Sequence, residues 1–369
     1  MILLGTSFKG VFFMNRRKTK NIYYGNIGVG SDFKITVQSM TNTKTDNVKE
    51  TIEQIHRLEK AGCEIIRVAV PDKKAALSLS KIKSDIKIPL IADIHFDHKL
   101  AIEAVEQGID GLRINPGNIG NKEKITAVVN KAKENNIPIR IGVNSGSIER
   151  ELLEKYGKPT AEGMVESALK HVKILEELEF HNIIISMKST DVMMTLKAHR
   201  LLSKKVDYPF HIGITEAGSG KEGIIKSAVG LAILLNEGYG DTLRVSLTGD
   251  PVEEVYTAYE ILKNLKLRNR GITVISCPTC GRTEVDLEKI TNEIKEKIKK
   301  YNKDFEEGLT VAVMGCPVNG PGEAREADLG LACGKNSGLL FKEGEVIKKV
   351  KEDEMIETLI KEIKNMRSE

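Results

Sequence analysis

The chain alternates short β-branched runs with stretches of helical hydrophobic spacing from residue 35 onward. The runs predict eight strands: Ile35–Met40, Glu64–Val70, Pro89–Ile94, Gly111–Asn115, Pro138–Val143, Asn182–Met187, Phe210–Thr215 and Thr242–Leu247. Between them lie helix-like segments such as Asn47–Ala61, Lys99–Gln107 and Lys122–Asn135. Strands that alternate with helices need a parallel sheet. Eight such units predict a closed α/β (β/α)₈ TIM barrel, with an open doubly wound sheet as the alternative.

The eighth predicted helix marks the end of the barrel. Asp250 can cap it, Pro251 suits its first turn, and its apolar stripe includes Tyr256. The barrel therefore closes near Leu267, and a short linker, 268–271, leads into a region with a different pattern. There we predict strands at Ile272–Ser276, Thr310–Met314 and Ser337–Phe341 and helices at Asp286–Tyr301 and Asp353–Met366. We expect an N-terminal extension over 1–20, a barrel over 21–267 and a small α+β domain over 272–369.

Composition and charge narrow the class of protein. The 369 residues are 40% hydrophobic and 29% charged, which is ordinary for a globular protein and excludes fibrous and disordered classes. A net charge of only +4 and the absence of Trp argue against a dedicated nucleic-acid binder. Five cysteines argue against a disulfide framework and for a reducing compartment. We therefore expect a cytoplasmic protein with neither nucleic-acid nor membrane partners.

The first fourteen residues are mostly apolar but lack the basic start and the small-residue cleavage site of a signal peptide. Two interpretations remain open for this segment. It is either a genuine arm or an over-extended start with Met14 as the true initiator.

Cationic side chains recur near the carboxyl ends of the predicted strands, where a (β/α)₈ barrel has its active site. Four strands carry an arginine among aliphatic neighbours and a fifth ends in a lysine: Arg67, Arg113, Arg140, Arg244 and Lys188. Side chains alternate faces along a strand, so the aliphatic face packs under the helices and the polar face looks into the barrel. Asn144 shares that inward face with Arg140, and Ser246 shares it with Arg244.

Two interpretations of the five cations are open. Each could be paired with a carboxylate such as Asp93 or Glu216, which is the simpler interpretation for any one of them alone. For all five together there are too few inward acids, which favours a polyanionic ligand. Arginine matches phosphate oxygens with two parallel hydrogen bonds, so a diphosphate or cyclic diphosphate is the natural candidate.

The cysteines predict a second centre. Cys277 and Cys280 form a CxxC at the end of a predicted strand, and Cys316 lies in a later Pro- and Gly-rich loop. Three thiolates satisfy three irons of a cubane cluster and leave the fourth open. These residues favour an iron–sulfur cluster over a zinc site without excluding zinc. We expect Cys63 and Cys333 to be small buried residues rather than ligands.

These motifs together resemble one family. The strand ends QSMTNT, RVAVP, ADIHF, RINPGN, GVNSGS, SMKSTD, GITEAG and RVSLTGDP, followed by SCPTCGR and MGCPVNGPGEA, are similar to 4-hydroxy-3-methylbut-2-en-1-yl diphosphate synthases. That family serves the bacterial methylerythritol phosphate pathway of isoprenoid biosynthesis. The likeness runs from about residue 16 to residue 350 and departs at the N-terminal segment and at Cys333. It implies a barrel followed by an iron–sulfur domain similar to the cluster half of sulfite and nitrite reductases.

The resemblance also implies a cofactor, a substrate and an electron donor. A 4Fe–4S cluster would be held by Cys277, Cys280, Cys316 and, in the resting state, Glu323. The implied substrate is 2-C-methyl-D-erythritol 2,4-cyclodiphosphate, which replaces Glu323 at the cluster during turnover. It is opened and reductively dehydroxylated with two electrons from ferredoxin or flavodoxin.

Roles for the barrel residues follow as expectations. The cyclic diphosphate would be clamped by the five cations with Ser246, and assisted by His95 and Asn144. Glu216 or Asp93 would deliver a proton, and Asn319 would bond the hydroxyl that leaves as water.

The position of the linker predicts the assembly. The eighth helix returns the chain to the end of the barrel opposite the cations, and a four-residue linker is too short to climb back. We therefore expect a head-to-tail homodimer in which each cluster domain covers the partner's barrel. Two alternative functions remain. One is a binding module stabilised by zinc that binds a phosphorylated ligand or RNA, and the other is a barrel transferase of the pteroate-synthase type. The second has no use for the cysteine domain.

Overall fold

The structure is a computed structural model that describes residues 16–305, 307–316 and 327–366. The chain divides into two compact units between Arg268 and Asn269. The first unit contains a parallel eight-stranded sheet, and the second contains a mixed five-stranded sheet. Within the described ranges no helix combines the length and the apolar content needed to cross a bilayer.

The first unit is a barrel preceded by a short antiparallel hairpin, β1 (Ile22–Tyr24) and β2 (Ile27–Val29). The parallel strands are β3 (Thr36–Met40), β4 (Ile65–Ala69), β5 (Leu90–Asp93), β6 (Gly111–Ile114), β7 (Ile139–Asn144), β8 (Ile183–Lys188), β9 (His211–Ile212) and β10 (Thr242–Leu243). Their order is β8-β7-β6-β5-β4-β3-β10-β9. A parallel bridge between Ile185 and Phe210 joins the two ends of this order. The structure thus confirms the (β/α)₈ barrel over the open sheet.

Helices alternate with these strands. They are α1 (Val48–Ala61), α2 (Lys73–Asp85), α3 (His98–Glu106), α4 (Pro116–Ile119), α5 (Lys122–Glu134), α6 (Arg150–Tyr156), α7 (Ala161–Glu177), α8 (Val192–Leu202), α9 (Gly220–Asn236) and α10 (Pro251–Asn264). Asp250 caps α10 by accepting a hydrogen bond from the Val252 amide, as predicted. The predicted apolar stripe is wrong at Tyr256, which is 48% exposed, because Glu254 occupies the buried face instead.

The predicted inward and outward faces of the strands are confirmed. Ile139, Ile141 and Val143 belong to the core between the strands and the helices, whereas Arg140 lies inside the barrel. At the amino-terminal end of the strands the interior is apolar, and the hairpin's Tyr24 packs there on three isoleucines: Ile65, Ile91 and Ile184. A Cβ at Gly111 would overlap the Tyr24 ring, so the absence of a side chain at this glycine leaves the space that the ring occupies.

The last two strands of the barrel are shorter than the sequence predicts. The Arg244 amide still donates to the Ile212 carbonyl at 3.0 Å, but the ladder stops there. The next amides find other acceptors, since Leu247 donates to the Glu254 carboxylate at 3.1 Å and Thr248 donates to the Gly218 carbonyl. The predicted strand ends at 215 and 247 are therefore wrong.

The second unit is α+β, as expected. Its elements are β11 (Ile272–Ser276), α11 (Leu287–Ile298), β12 (Leu309–Met314), β13 (Leu329–Gly334), β14 (Ser337–Lys342), β15 (Glu345–Lys351) and α12 (Met355–Asn365). The first three strands run parallel, and β14 and β15 add antiparallel. The helices α11 and α12 share one apolar core with the sheet. We did not predict β13 or β15.

Candidate active site

The five predicted cations converge inside the barrel. They stand on β4, β6, β7 and β8 and just after β10: Arg67, Arg113, Arg140, Lys188 and Arg244. Arg140 is fully buried, and Arg113 and Lys188 are each 7% exposed. Two glycines on the inward face make room for them. A Cβ at Gly142 would overlap the Arg113 guanidinium, and one at Gly213 would lie 2.7 Å from Lys188 Nζ.

Asp93 binds two of these arginines. Its Oδ1 accepts from Arg113 Nη1 at 3.1 Å, and its Oδ2 lies 3.5 Å from Arg67 Nε. His95 Nε2 stands 3.2 Å from Arg113 Nη1, although its ring is half exposed. Burial disfavours the Asp93 carboxylate, but Arg67, His95 and Arg113 outweigh it and hold the pKa of Asp93 below its usual range. Asp93 is therefore ionised, and it holds two members of the group of five cations, which we call the cation layer.

The second carboxylate in the site comes from a helix that sequence analysis did not connect to it. Glu254 of α10 is 2% exposed and holds Arg244 with two hydrogen bonds, from Nε at 3.1 Å and from Nη2 at 3.0 Å. It also accepts from the Ser39 hydroxyl at 2.9 Å. In the sequence this glutamate appears only as an interruption of the apolar stripe of α10.

The cations outnumber the acids that bind them. In the described part of the chain, the carboxylates bonded to the five cations are Asp93 and Glu254, which leaves three positive charges unmatched. Arg140 instead donates to the Gln38 side chain, and its Nε and Nη2 have no partner among described residues. Lys188 Nζ lies 3.2 Å from His211 Nε2. Such an excess of buried positive charge is the arrangement expected of a polyanion site.

Several predicted residues are not joined to this layer. Glu216 is exposed on the loop after β9 with φ of 50°, and no hydrogen bond links its side chain to another described residue. Asn144 and Ser246 are half-buried; Asn144 is the last residue of β7, and Ser246 lies three residues after β10. Asn319 and Glu323 lie outside the described residues.

Sequence analysis missed Gln38, His211 and Glu254 as members of the site. For His211 a signal existed, because it alternates with Phe210 and Ile212, which pack in the outer core, and therefore faces inward. Met40 is a further contact, since its sulfur lies 2.9 Å from Arg67 Nη2 and 3.5 Å from Arg244 Nη1. The thioether separates the two guanidinium groups.

The cysteines of the second unit lie at one end of its sheet. Cys277 follows β11 and Cys316 follows β12, and these strands are parallel neighbours. The Gly315 amide donates to Cys277 Sγ at 3.4 Å. Cys280 is exposed, and hydrogen bonds from the Arg282 backbone and side chain lower the pKa of its thiol. These loops offer thiolate ligands, and one sulfur accepts a hydrogen bond from a backbone amide. Both features are typical of the ligands of an iron–sulfur cluster.

The sulfurs of Cys277, Cys280 and Cys316 do not lie close enough together to form a metal site in this structure. Within residues 16–305, 307–316 and 327–366, no group of three or more His, Cys, Asp or Glu side chains could hold a metal ion. Cys63 and Cys333 are buried, as predicted, and burial raises the pKa of each thiol to about 12. Cys333 lies within β13, in the core under α12.

Comparison with known proteins identifies the family. Among solved structures, dihydropteroate synthase from Vibrio fischeri aligns with a TM-score of 0.48 and 11% identity, over 67% of this chain and 98% of that one. The GcpE TIM-barrel domain matches residues 19–259, and the GcpE protein C-terminal domain matches residues 273–365. The 4-hydroxy-3-methylbut-2-en-1-yl diphosphate synthase (flavodoxin) of Clostridium perfringens is 57% identical over 96% of this chain and 100% of its own length. The same enzyme of Thermodesulfovibrio yellowstonii is 56% identical over 95% and 99%. The chain therefore belongs to the GcpE family of 4-hydroxy-3-methylbut-2-en-1-yl diphosphate synthases.

Proposed function

We propose that this protein converts 2-C-methyl-D-erythritol 2,4-cyclodiphosphate into 4-hydroxy-3-methylbut-2-enyl diphosphate, an oxidoreductase step of isoprenoid precursor biosynthesis. The observation that carries the proposal is the excess of cations in the barrel interior, where two carboxylates are bonded to a group of five cations. A doubly charged cyclic diphosphate fits the unmatched positive charge. The names of the relatives that match nearly the whole chain support the same reaction.

The barrel residues would bind the diphosphate and hold its developing charge. Arginine forks offer paired N–H donors to phosphate oxygens, and the unpartnered Nε and Nη2 of Arg140 are free for that purpose among the described residues. As the ring C–O bond breaks, negative charge grows on a phosphate oxygen. Cations already fixed by Asp93 and Glu254 stabilise it without reorganising. Asn144 and Ser246 would add neutral hydrogen bonds at the rim.

A 4Fe–4S cluster would be held by Cys277, Cys280 and Cys316, with Glu323 as the resting fourth ligand. The three thiols lie at the ends of adjacent strands, which supports the assignment. When bound, the cluster would relay the two electrons of the reduction from the external donor, one at a time, and would provide a Lewis-acidic iron. Asn319, in the same loop of the sequence as Glu323, would bond the hydroxyl that leaves as water.

Proton delivery falls to Glu216 or His95 rather than to Asp93. Asp93 is bonded to two arginines and stays ionised, which makes it a poor proton donor. Glu216 is exposed on the loop after β9, where it is free to approach a bound substrate. His95 is half exposed beside Arg113 and would contact the phosphate.

The proposed electron donor is flavodoxin, which appears in the names of the relatives, and the proposed location is the cytoplasm. The test is anoxic turnover. Purified without oxygen, the protein should contain about four irons per chain. With reduced flavodoxin and the cyclic diphosphate it should release the linear diphosphate, which phosphorus NMR measures. A colourless zinc protein that forms no product under these conditions would refute the proposal.

We also propose that the enzyme works as a head-to-tail homodimer. Arg268, the last residue of the barrel unit, donates to the Ile35 carbonyl at 2.8 Å and to Glu64. Both acceptors precede their strands, so the chain leaves the barrel at the end opposite the cations. An exposed apolar face on α9, with Ile225 62% and Val229 48% exposed, offers a surface for a second copy.

Subunit mixing tests the dimer directly. Arg113→Met disables the barrel, and Cys316→Ser disables the cluster domain, so each pure variant should be inactive. If each active site combines two chains, unfolding the two variants together and refolding them should restore about a quarter of wild-type activity. Half of the dimers would then be mixed, with one intact site each. Mixing Arg113→Met with Arg67→Met is the control and should restore nothing. No recovery in the first mixture, from chains that form dimers, would contradict shared sites.

A further inference from the structure

Lys188 is a buried lysine without a carboxylate partner among the described residues. It ends β8, is 7% exposed, and has its Nζ 3.2 Å from Nε2 of His211 on neighbouring β9. The missing side chain of Gly213 leaves the space that the ammonium end occupies. The fold therefore provides a place for this group but no negative charge beside it.

The charges around Lys188 decide its protonation state. Four guanidinium groups repel an ammonium at this position: Arg67, Arg244, Arg140 and Arg113. With Asp93 and Glu254 counted, three positive charges remain in excess if every cation is protonated. Burying unbalanced charge is costly. Arginine keeps its proton at any physiological pH, whereas a buried lysine readily becomes a neutral amine. Loss of the Lys188 proton is therefore the least costly way to reduce the excess of buried positive charge.

His211 is a second titratable group at the same place. Its imidazole is fully buried, and its Nδ1 has no hydrogen-bond partner among the described residues. Burial, followed by repulsion from Arg140 and Lys188, holds the pKa of His211 well below its usual value. Burial and the four arginines do the same to the pKa of Lys188. The amine and the imidazole can share one hydrogen bond, but they cannot both be charged.

We propose that Lys188 and His211 form a proton-accepting pair that is uncharged in the ligand-free barrel and takes up one proton when the cyclic diphosphate binds. The inference rests on the proposed function, because it takes that diphosphate as the ligand. The bound anion supplies the negative charge that the ammonium lacks, so it raises the proton affinity of the pair. Substrate affinity should then fall as the pH rises, by about tenfold per pH unit between the free and bound pKa values of the pair.

His95, which would contact the phosphate, is distinguished from the pair by the His211→Gln variant described below. The other charged or titratable groups near the barrel interior do not give this response. They are Tyr24 of the hairpin, Arg67 of β4, Asp93 of β5, Arg113 of β6, Arg140 of β7, Arg244 after β10, Glu254 of α10 and, from outside β8, His199 of α8. Burial raises the pKa of Tyr24 to about 12, so its phenol stays protonated, and Asp93 stays ionised. Burial lowers the pKa of His199 to about 4, so it is neutral in both states. Glu254 accepts two hydrogen bonds from Arg244 and one from the Ser39 hydroxyl.

Calorimetry measures the proton directly. The holoenzyme, without reductant so that no turnover occurs, is titrated with the cyclic diphosphate in Tris and in HEPES at one near-neutral pH. The difference in observed heat, divided by the difference in buffer ionisation enthalpy, gives the protons taken up. We expect about one per chain. Heats that do not depend on the buffer, or net proton release, would overturn the inference. Failure of the substrate to bind at all would instead overturn the proposed function, and the inference with it.

Two buried histidines provide a matched pair of variants. His211→Gln keeps all five cations, and its carbonyl can accept from the lysine and favour the ammonium, so proton uptake should drop below about half. His199→Gln replaces an equally buried imidazole whose Nδ1 bonds the Thr195 carbonyl, and uptake should stay at the wild-type value. Full uptake in His211→Gln, with binding retained, would show that the pair does not accept the proton.

Discussion

Cys280→Ser or Cys316→Ser is expected to reduce the iron content of anoxically purified protein from about four per chain to near zero. Cys280 is exposed in the segment that follows β11, and Cys316 follows the neighbouring parallel strand β12, so both come after the same end of the sheet. A serine hydroxyl is a hard, weakly acidic ligand that does not replace a thiolate on iron. The brown colour and the turnover should both disappear.

Cys333→Ala is the matched control for this prediction. Cys333 lies in the same domain, but it is fully buried in β13 among the residues of the α11 and α12 core. The substitution should leave the iron content unchanged, although the small cavity should lower the free energy of unfolding by about 1 kcal/mol. Iron loss in Cys333→Ala, or full iron in Cys316→Ser, would contradict the proposed ligand set. Iron is measured by plasma emission spectroscopy and stability by thermal unfolding.

The barrel could be predicted from sequence because its signal is local and repeated. Each inner strand is a β-branched run whose two faces differ in polarity, and the alternation alone placed Arg140 inside and Ile141 outside. Cation convergence followed from the fold, since parallel strands in a barrel bring their carboxyl ends together. The strand order and the inward face of the cation layer therefore needed no tertiary information.

Glu254 could not be predicted, because its role depends on a neighbour that is distant in the pattern. A carboxylate on the buried face of a helix looks like an interruption of the apolar stripe until Arg244 is known to lie beside it. Tyr256 lies two residues further along the helix and therefore on the opposite, exposed face, which is why the predicted stripe failed there. The same pairing drew the Leu247 amide away from the sheet and shortened β10.

The missed strands have weak or misleading local signals. β1 and β2 have three residues each, too few for a clear alternation, and glycines lie in and around β2; yet Tyr24, the last residue of β1, packs on the isoleucines at the amino-terminal end of the barrel interior. β13 contains two glycines in six residues, a composition that disfavours strands in isolation. β15 is a lysine-rich edge strand, whose charges protect an exposed edge from further pairing and conceal the alternation.

Asp93→Asn is expected to lower the free energy of unfolding by about 3–5 kcal/mol, because it removes a buried charge that holds two arginines. Asp93 is 5% exposed and bonds Arg113 at 3.1 Å and Arg67 at 3.5 Å. Without it, Glu254 is the one carboxylate among the described residues still bonded to the cations, so the unmatched positive charge in the interior rises by one. The exposed pair of Lys155 and Glu166 is the control, and Glu166→Gln should cost no more than about 1 kcal/mol.

The pH dependence and an added anion separate this electrostatic loss from simple damage to packing. Because the folded pKa of Asp93 lies below its unfolded value, the carboxylate contributes its stability above about pH 4 and loses it only as the pH falls through the depressed value. The difference between wild type and Asp93→Asn should therefore stay constant between about pH 5 and pH 8. Inorganic diphosphate should raise the melting temperature of Asp93→Asn more than that of wild type, since the variant has the larger unmatched charge to neutralise. Equal shifts in both proteins would mean that the cation layer does not bind the anion, and the barrel would lose its assignment as the diphosphate site.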